Sequence, residues 1–242
     1  MIAHNSPVVF DGDNTLWKGR VAEGIGLQLI TRELKRMHLS TVVKAVRKKS
    51  DVNEVLRAGV LGGGSDRESV AQNMFYDFLV QSKKGNKELM YKFAGNYIEK
   101  HLTYNVLSLI SNRHDWGGEL FLATCAGTSA AQYVKDAGMP NLMHAWNPVL
   151  PKRIYLRDSI NNDEVFDAEG RLSGFRQAIT SGEKKLAAVE TMLDAYGIKI
   201  NKCIVIGDSA KDIPMLKSAV RPVASPYATD EVKKIKGIIR LT

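Results

Sequence analysis

The sequence predicts an α/β fold: a doubly wound, mostly parallel sheet with an inserted all-helical segment. Three observations lead to it. Short apolar runs at Pro7 to Phe10, Glu119 to Ala123 and Cys203 to Ile206 alternate with helical stretches, the arrangement of a parallel sheet covered on both faces. The first and the last of these runs feed polar, acid-bearing loops. Between the first two runs, from Val21 to about Asn112, the periodicity is helical and no strand is indicated. A chain of 242 residues is long enough for one core domain with a smaller insertion.

The elements follow in order. Pro7 to Phe10 reads as a buried strand that feeds Asp11-Gly12-Asp13-Asn14-Thr15. In the inserted stretch, Ile25, Leu29, Ile30, Leu34 and Met37 share one helical face, and Val70, Met74, Phe75 and Phe78 another. Asp51 and Ser65 are candidate N-caps, and Leu61-Gly62-Gly63-Gly64-Ser65 breaks the helices as a joint. Beyond Gly117-Gly118, Glu119 to Ala123 is strand-like, Thr124 to Gly127 reads as a turn, and Ser129 to Ala137 as a helix stopped by Gly138. Glu164 to Asp167 and Arg171 to Phe175 flank Ala168-Glu169-Gly170 as a hairpin. A helix from about Gly182 to Tyr196, ended by Gly197, precedes the strand Cys203 to Ile206 and a second acidic loop, Gly207-Asp208-Ser209-Ala210-Lys211-Asp212.

Composition narrows the function class. With 44% hydrophobic and 25% charged residues, a disordered or collagen-like chain is excluded. Lys and Arg number 34 against 26 Asp and Glu, a net +8 that attracts anions: phosphorylated metabolites, nucleic acid or an anionic membrane. The two cysteines, Cys125 and Cys203, are far apart and show no metal-site spacing, so a reducing cytoplasm is the expected location. No stretch approaches the roughly 18 apolar residues of a membrane span, and no export or anchoring signal is read. The histidines His4, His38, His101, His114 and His144 are scattered without paired spacing.

Ligands of open α/β sheets bind beyond the carboxyl ends of the strands. Asp11 and Asp13 follow the first predicted strand, Thr124 the second, and Asp208 and Asp212 the late one. Four carboxylates gathered there repel one another unless a cation is present, and a hard, oxygen-seeking Mg²⁺ fits them best.

Asp11-Gly12-Asp13-Asn14-Thr15 resembles the DxDx[TV] nucleophile motif of the haloacid dehalogenase (HAD) superfamily of phosphatases. Thr124 after an apolar strand resembles that family's second motif, Lys185 (or Lys184) at a helix start its third, and Gly207-Asp208-Ser209 through Asp212 its acidic fourth. The resemblance implies a HAD-like Rossmannoid core in residues 1–17 and 115–242 and a helical cap of the first type in residues 18–114. It implies Asp11 as nucleophile, Asp13 as general acid and base, and Thr124 and Lys185 as phosphoryl-binding groups. Asp11, the Asp13 carbonyl and Asp208 would hold Mg²⁺, and Asp212 would orient a metal-bound water or Lys185. Thr15, Arg20, Cys125 and Ala126 are the further substrate-binding candidates.

The hairpin and the segment Asp208 to Met215 most resemble the phosphoserine-phosphatase-like subfamily. That enzyme carries a cap-side Glu where this chain has Arg20, with Glu23 near but displaced; Arg20 and Lys18 favour a second anionic group on the substrate. The expected substrate is therefore a small phosphorylated metabolite, phosphoserine-like, and the chain a monomer or homodimer with no membrane partner. A cysteine phosphatase is excluded, because its loop needs Arg where Ala131 stands, and no Walker P-loop is present. Two rivals are a polynucleotide or phosphoprotein phosphatase and a non-catalytic phosphate-binding or scaffold protein on the same fold. The basic clusters at Lys44 to Lys49, Lys83-Lys84 and Lys233 to Lys236 are dispersed, which disfavours nucleic acid as a partner.

Overall fold

The computed structural model describes residues 6–36, 76–77, 79–80, 85–115, 118–144, 156–179 and 181–242. The strands are β1 (Val8–Phe10), β2 (Leu120–Gly127), β3 (Asp158–Phe166), β4 (Leu172–Arg176), β5 (Ile204–Gly207), β6 (Arg221–Ala224) and β7 (Ile239–Arg240). They form one sheet in the order β4-β3-β2-β1-β5-β6-β7. Every neighbouring pair is parallel except β3 and β4, the predicted hairpin. The helices are α1 (Val21–Arg36), α2 (Lys87–Lys100), α3 (Tyr104–Asp115), α4 (Thr128–His144), α5 (Gly182–Asp194), α6 (Ile213–Ser218) and α7 (Asp230–Lys233).

The centre of the sheet is apolar on both faces, as a doubly wound fold requires. Alternation along the strands sends Val8, Phe10, Leu120, Leu122, Ile204 and Ile206 into one cluster, where α1, α2, α3 and α4 cover them. Val9, Phe121, Ala123 and Val205 go to the other, covered by Val189, Met192 and Leu193 of α5 and Met215 and Leu216 of α6. The described helices of the inserted stretch thus share an apolar cluster with the sheet: Phe93 and Ile98 of α2 and Ile110 of α3 pack with the strand residues.

Local chemistry places the helix ends. Asn86 caps α2 by accepting from Leu89 N at 2.8 Å, and Ser181 caps α5 by accepting from Lys184 N at 3.3 Å. Gly197, at φ 70°, lets the chain leave α5 in the left-handed region. Two expectations are corrected. Thr124 to Gly127 is not a turn but the end of β2, whose register against β3 shifts there. α4 also runs through Gly138 to His144, since a helical glycine costs only about 1 kcal/mol and need not end the helix. Short β6 and β7 extend the sheet beyond the predicted strands. Asp51, Ser65, the joint at 61–65 and the lysines at 44–49 and 83–84 lie outside the described residues. Among the described residues no helix is long and apolar enough to cross a membrane.

Candidate active site at the carboxyl ends of the strands

Parallel register brings the motif-bearing loops together. Phe10 pairs with Leu122 on one side and Ile206 on the other, so Asp11, Thr124 and Asp208 leave adjacent strands at the same edge. The first loop folds around Gly12, whose carbonyl accepts from the amides of Thr15, Leu16 and Trp17 at 3.1, 2.9 and 3.2 Å. A Cβ on Gly12 would stand 2.6 Å from both the Thr124 hydroxyl and the Trp17 ring, so only glycine lets the loop lie against Thr124. Asn14 takes a φ of 55°, and its side-chain oxygen accepts from Gly19 N at 2.9 Å.

Asp11, Asp208 and Asp212 are buried, and one carboxylate oxygen of each lies within 4.8 Å of the others. Lys185, only 1% exposed, donates to Asp11 Oδ1 and Asp212 Oδ1, both at 2.6 Å. Lys184 is exposed, so helical phase selects Lys185 as the lysine of the site. α5 starts close against the acidic loop: a Cβ on Gly182 would stand 2.9 Å from Pro214 and 3.1 Å from the Lys211 carbonyl. Asp212 turns its second oxygen to the amides of Asp208 at 2.9 Å and Ser209 at 3.1 Å, and folds back over Gly207, where any Cβ would collide with it.

This sharing of donors separates the two acids. Burial pushes both upward, but Lys185 and two backbone amides hold Asp212 below its ordinary value. Asp11 has only its share of the ammonium, and burial pushes it up to about 7. Burial pulls Lys185 down, yet the two carboxylates outweigh it and hold the amine well above its usual value. The carboxyl groups of Asp11, Asp208 and Asp212 thus gather their oxygens beside the buried ammonium of Lys185. An all-oxygen donor set of this kind fits a hard divalent cation.

The remaining candidates are arranged around this centre. Asp13 is half-buried, and its Oδ1 accepts from Trp17 Nε1 at 2.6 Å and from Val21 N, the first amide of α1, at 3.0 Å. Thr124 is fully buried and accepts from Ala126 N at 3.1 Å. Burial pushes the Cys125 thiol up to about 11, while Lys185, Lys211, Asp11 and Asp212 all act on it electrostatically. The Thr15 hydroxyl is buried without a hydrogen-bond partner. Arg20 is paired with Glu23 at 3.1 Å on the partly exposed rim of α1.

Residues the sequence did not single out complete the surroundings. Trp17 holds Asp13, and Asn162 of β3 donates to the Cys125 carbonyl at 2.8 Å. Glu164 is buried against Tyr76 and Ser129 beside Gly127. Only the hairpin was legible there, because a lone acid in an alternating strand reads as solvent-facing.

Known proteins share this fold and part of this sequence. The family model for haloacid dehalogenase-like hydrolases matches residues 156–240. Two curated relatives are phosphoglycolate phosphatases, from Thermoplasma acidophilum, 34% identical over 58 residues, and from Thermoplasma volcanium, 34% identical over 61. Those matches cover 24% and 25% of this chain and 26% and 27% of the relatives, so the chain aligns with about a quarter of their length. A substrate-bound phosphoserine phosphatase structure superposes with a TM-score of 0.64 at 15% identity, covering 97% of this chain and 92% of that one. A phospho-aspartyl intermediate analogue of phosphoserine phosphatase gives 0.65 at 17% identity, covering 98% and 93%. A HAD family hydrolase from Salmonella enterica serovar Typhi gives 0.61 at 16%, covering 99% and 67%. The chain therefore shares the overall fold of these phosphoserine phosphatase structures.

Proposed function

We propose that the chain is a Mg²⁺-dependent phosphomonoesterase that hydrolyses a small phosphorylated metabolite through an aspartyl-phosphate on Asp11. The observation that carries this reading is the buried Asp11–Lys185–Asp212 set with Asp208 beside it. Phosphoryl transfer needs little covalent assistance beyond an in-line nucleophile and cancelled charge.

In this mechanism an Asp11 oxygen attacks phosphorus, the bond to the ester oxygen breaks, and Asp13 protonates the leaving alkoxide. Asp13 then takes a proton from water, which attacks the phosphorus of the acyl phosphate and releases phosphate and Asp11. Trp17 and Val21 fix one Asp13 oxygen throughout. Because Thr124 Oγ1 already accepts from Ala126 N, its own proton is directed elsewhere, toward a phosphoryl oxygen. Lys185 balances the charge gathering at Asp11. Asp11, Asp208 and the Asp13 carbonyl would hold Mg²⁺, with Asp212 orienting Lys185; bound there, the ion supplies positive charge to the phosphoryl oxygens and favours ionised Asp11.

The substrate reading rests on the rim. Arg20 offers a guanidinium to a second anionic group, but one already shared with Glu23, which suits a substrate carrying a carboxylate with or without an amine. The phosphoglycolate and phosphoserine phosphatase relatives point to the same size and charge. Residues 18–114 would supply the cap over this substrate, and the free thiols of Cys125 and Cys203 accord with a reducing cytoplasm.

The test is phosphate release with Mg²⁺ from p-nitrophenyl phosphate and a panel including phosphoserine and phosphoglycolate. Turnover is expected for the native chain, and Asp11→Asn should lower it by on the order of 10⁴-fold or more. No release by the native chain, or full activity in Asp11→Asn, would overturn the proposal in favour of a non-catalytic phosphate-binding role.

A further inference from the structure

Where β2 meets β3, four residues of one strand face two of the other: Ala123 pairs with Ile160, but Gly127 pairs with Asn162. The extra length forms a bulge, Thr124-Cys125-Ala126, in which Thr124 lies against Gly12, and the strand runs on into α4. A bulge loses ladder hydrogen bonds, so something must replace them. Asn162 Nδ2 does so for the Cys125 carbonyl at 2.8 Å, and Thr128 Oγ1 accepts from Glu164 N at 3.3 Å.

Glu164 closes the far side of this bulge. Its Oε2 accepts from Ser129 N at 2.9 Å and from the Ser129 hydroxyl, and its Oε1 accepts from the Tyr76 hydroxyl at 2.7 Å. Any side chain on Gly127 would collide with Glu164 Oε1 and the Tyr76 hydroxyl, so this junction lies close against the residue that follows the bulge. Tyr76 comes from the inserted stretch and is fully buried. Its ring lies flat on Phe175, centroids 3.8 Å apart and 2° from parallel, and Phe175 is the cross-strand partner of Glu164. Burial, Glu164 and the more distant Asp13 hold the phenol far above its ordinary range, so it remains a donor.

We infer that Glu164 and Tyr76 are positioning residues: they lock the Thr124–Ser129 segment into the shape that receives the phosphoryl group and tie that shape to the seating of the inserted segment. The inference rests on the phosphatase reading above. Neither side chain touches the reacting atoms; they act through Gly127 and Ser129. A carboxylate is needed because three donors converge on it, and a glutamine would present N–H groups to some of them.

The experiment compares native protein, Glu164→Gln and Tyr76→Phe. It reads kcat and KM for p-nitrophenyl phosphate with Mg²⁺, the inhibition constant and calorimetric Kd of inorganic phosphate, and thermal stability. Glu164→Gln is expected to raise KM, inhibition constant and Kd together by about tenfold with kcat within about twofold, and Tyr76→Phe by about threefold. Unchanged phosphate affinity in both variants, whatever their melting temperatures, overturns the inference, as does a fall in kcat at constant KM. If Glu164→Gln does not fold, Tyr76→Phe decides. A native chain that hydrolyses nothing refutes the phosphatase reading; phosphate Kd values then still decide the junction, with no binding or equal binding counting against it.

Discussion

Asp11 and Glu164 are both buried acids at the carboxyl end of the sheet, yet their surroundings differ in kind. Asp11 shares one ammonium with a second carboxylate and keeps Asp208 within 4.8 Å, so its neighbourhood is rich in charge of both signs. Glu164 has only neutral donors: a phenol, a serine hydroxyl and one amide. Charge concentrated in a folded core is expensive and marks a candidate ligand site. A carboxylate satisfied by neutral hydrogen bonds holds chain segments together and asks for nothing more.

The largest effect that would break this comparison is Lys185→Met. Removing the ammonium leaves two buried carboxylates facing each other, and loss of one partner from a buried ionic set costs about 3–5 kcal/mol. Denaturant unfolding without divalent cations should show it, with added Mg²⁺ recovering part of the loss. A change below about 1 kcal/mol, the usual worth of an exposed pair, would mean that the centre tolerates its charges without the lysine.

The two acids should also differ in what pH does to them. Burial holds Glu164 above its ordinary value of 4.5, so the folded state keeps this proton where the unfolded chain has released it. Its contribution to stability is therefore fully present below 4.5 and is lost as pH rises through the folded value. The nearest titrating partner, Tyr76, stays protonated over that window. Unfolding midpoints over a pH series should fall for the native chain relative to Glu164→Gln as pH rises from 4.5. A constant difference between the two would show that burial does not raise the proton affinity of Glu164.

Tyr76→Phe sharpens the comparison at lower magnitude. It keeps the ring on Phe175 but withdraws one of the three donors, which should cost about 1–2 kcal/mol of unfolding free energy. Phenylalanine leaves Ser129 in place, so Glu164 retains two donors and the loss stays below that of Lys185→Met.

The two sites were unequally legible in the sequence. Asp11, Thr124, Lys185, Asp208 and Asp212 each stand at a strand end or helix start, and parallel strands alone suffice to bring such positions together. The sequence leaves Lys184 and Lys185 both open, and burial in the folded chain separates them. Glu164 and Tyr76 are 88 residues apart, one in an ordinary-looking strand and one in a helical stretch, and they meet beside Gly127, where the register of β2 against β3 has shifted. No local pattern encodes a register shift, which depends on how two strands of unequal advance are reconciled. Thr124 to Gly127 misread as a turn for the same reason: polar and small residues at a bulge look like residues at a chain reversal.

Arg20 and Glu23 mark the end of the scale where neither charge is buried. Their pair is 3.1 Å long, but the side chains keep 24% and 54% of their exposure, so water screens what the core would magnify. Arg20→Gln should change unfolding free energy by less than about 0.5 kcal/mol. Its consequence belongs to the substrate: KM for a phosphorylated carboxylate such as phosphoglycolate should rise by roughly tenfold, the worth of one charge-assisted contact, while p-nitrophenyl phosphate, which has no second anion, is turned over as before. Equal effects on both substrates would assign Arg20 to the phosphoryl group or to the fold of α1. A stability loss comparable to that of Lys185→Met would erase the distinction between rim and core on which the charge reading of Asp11 depends.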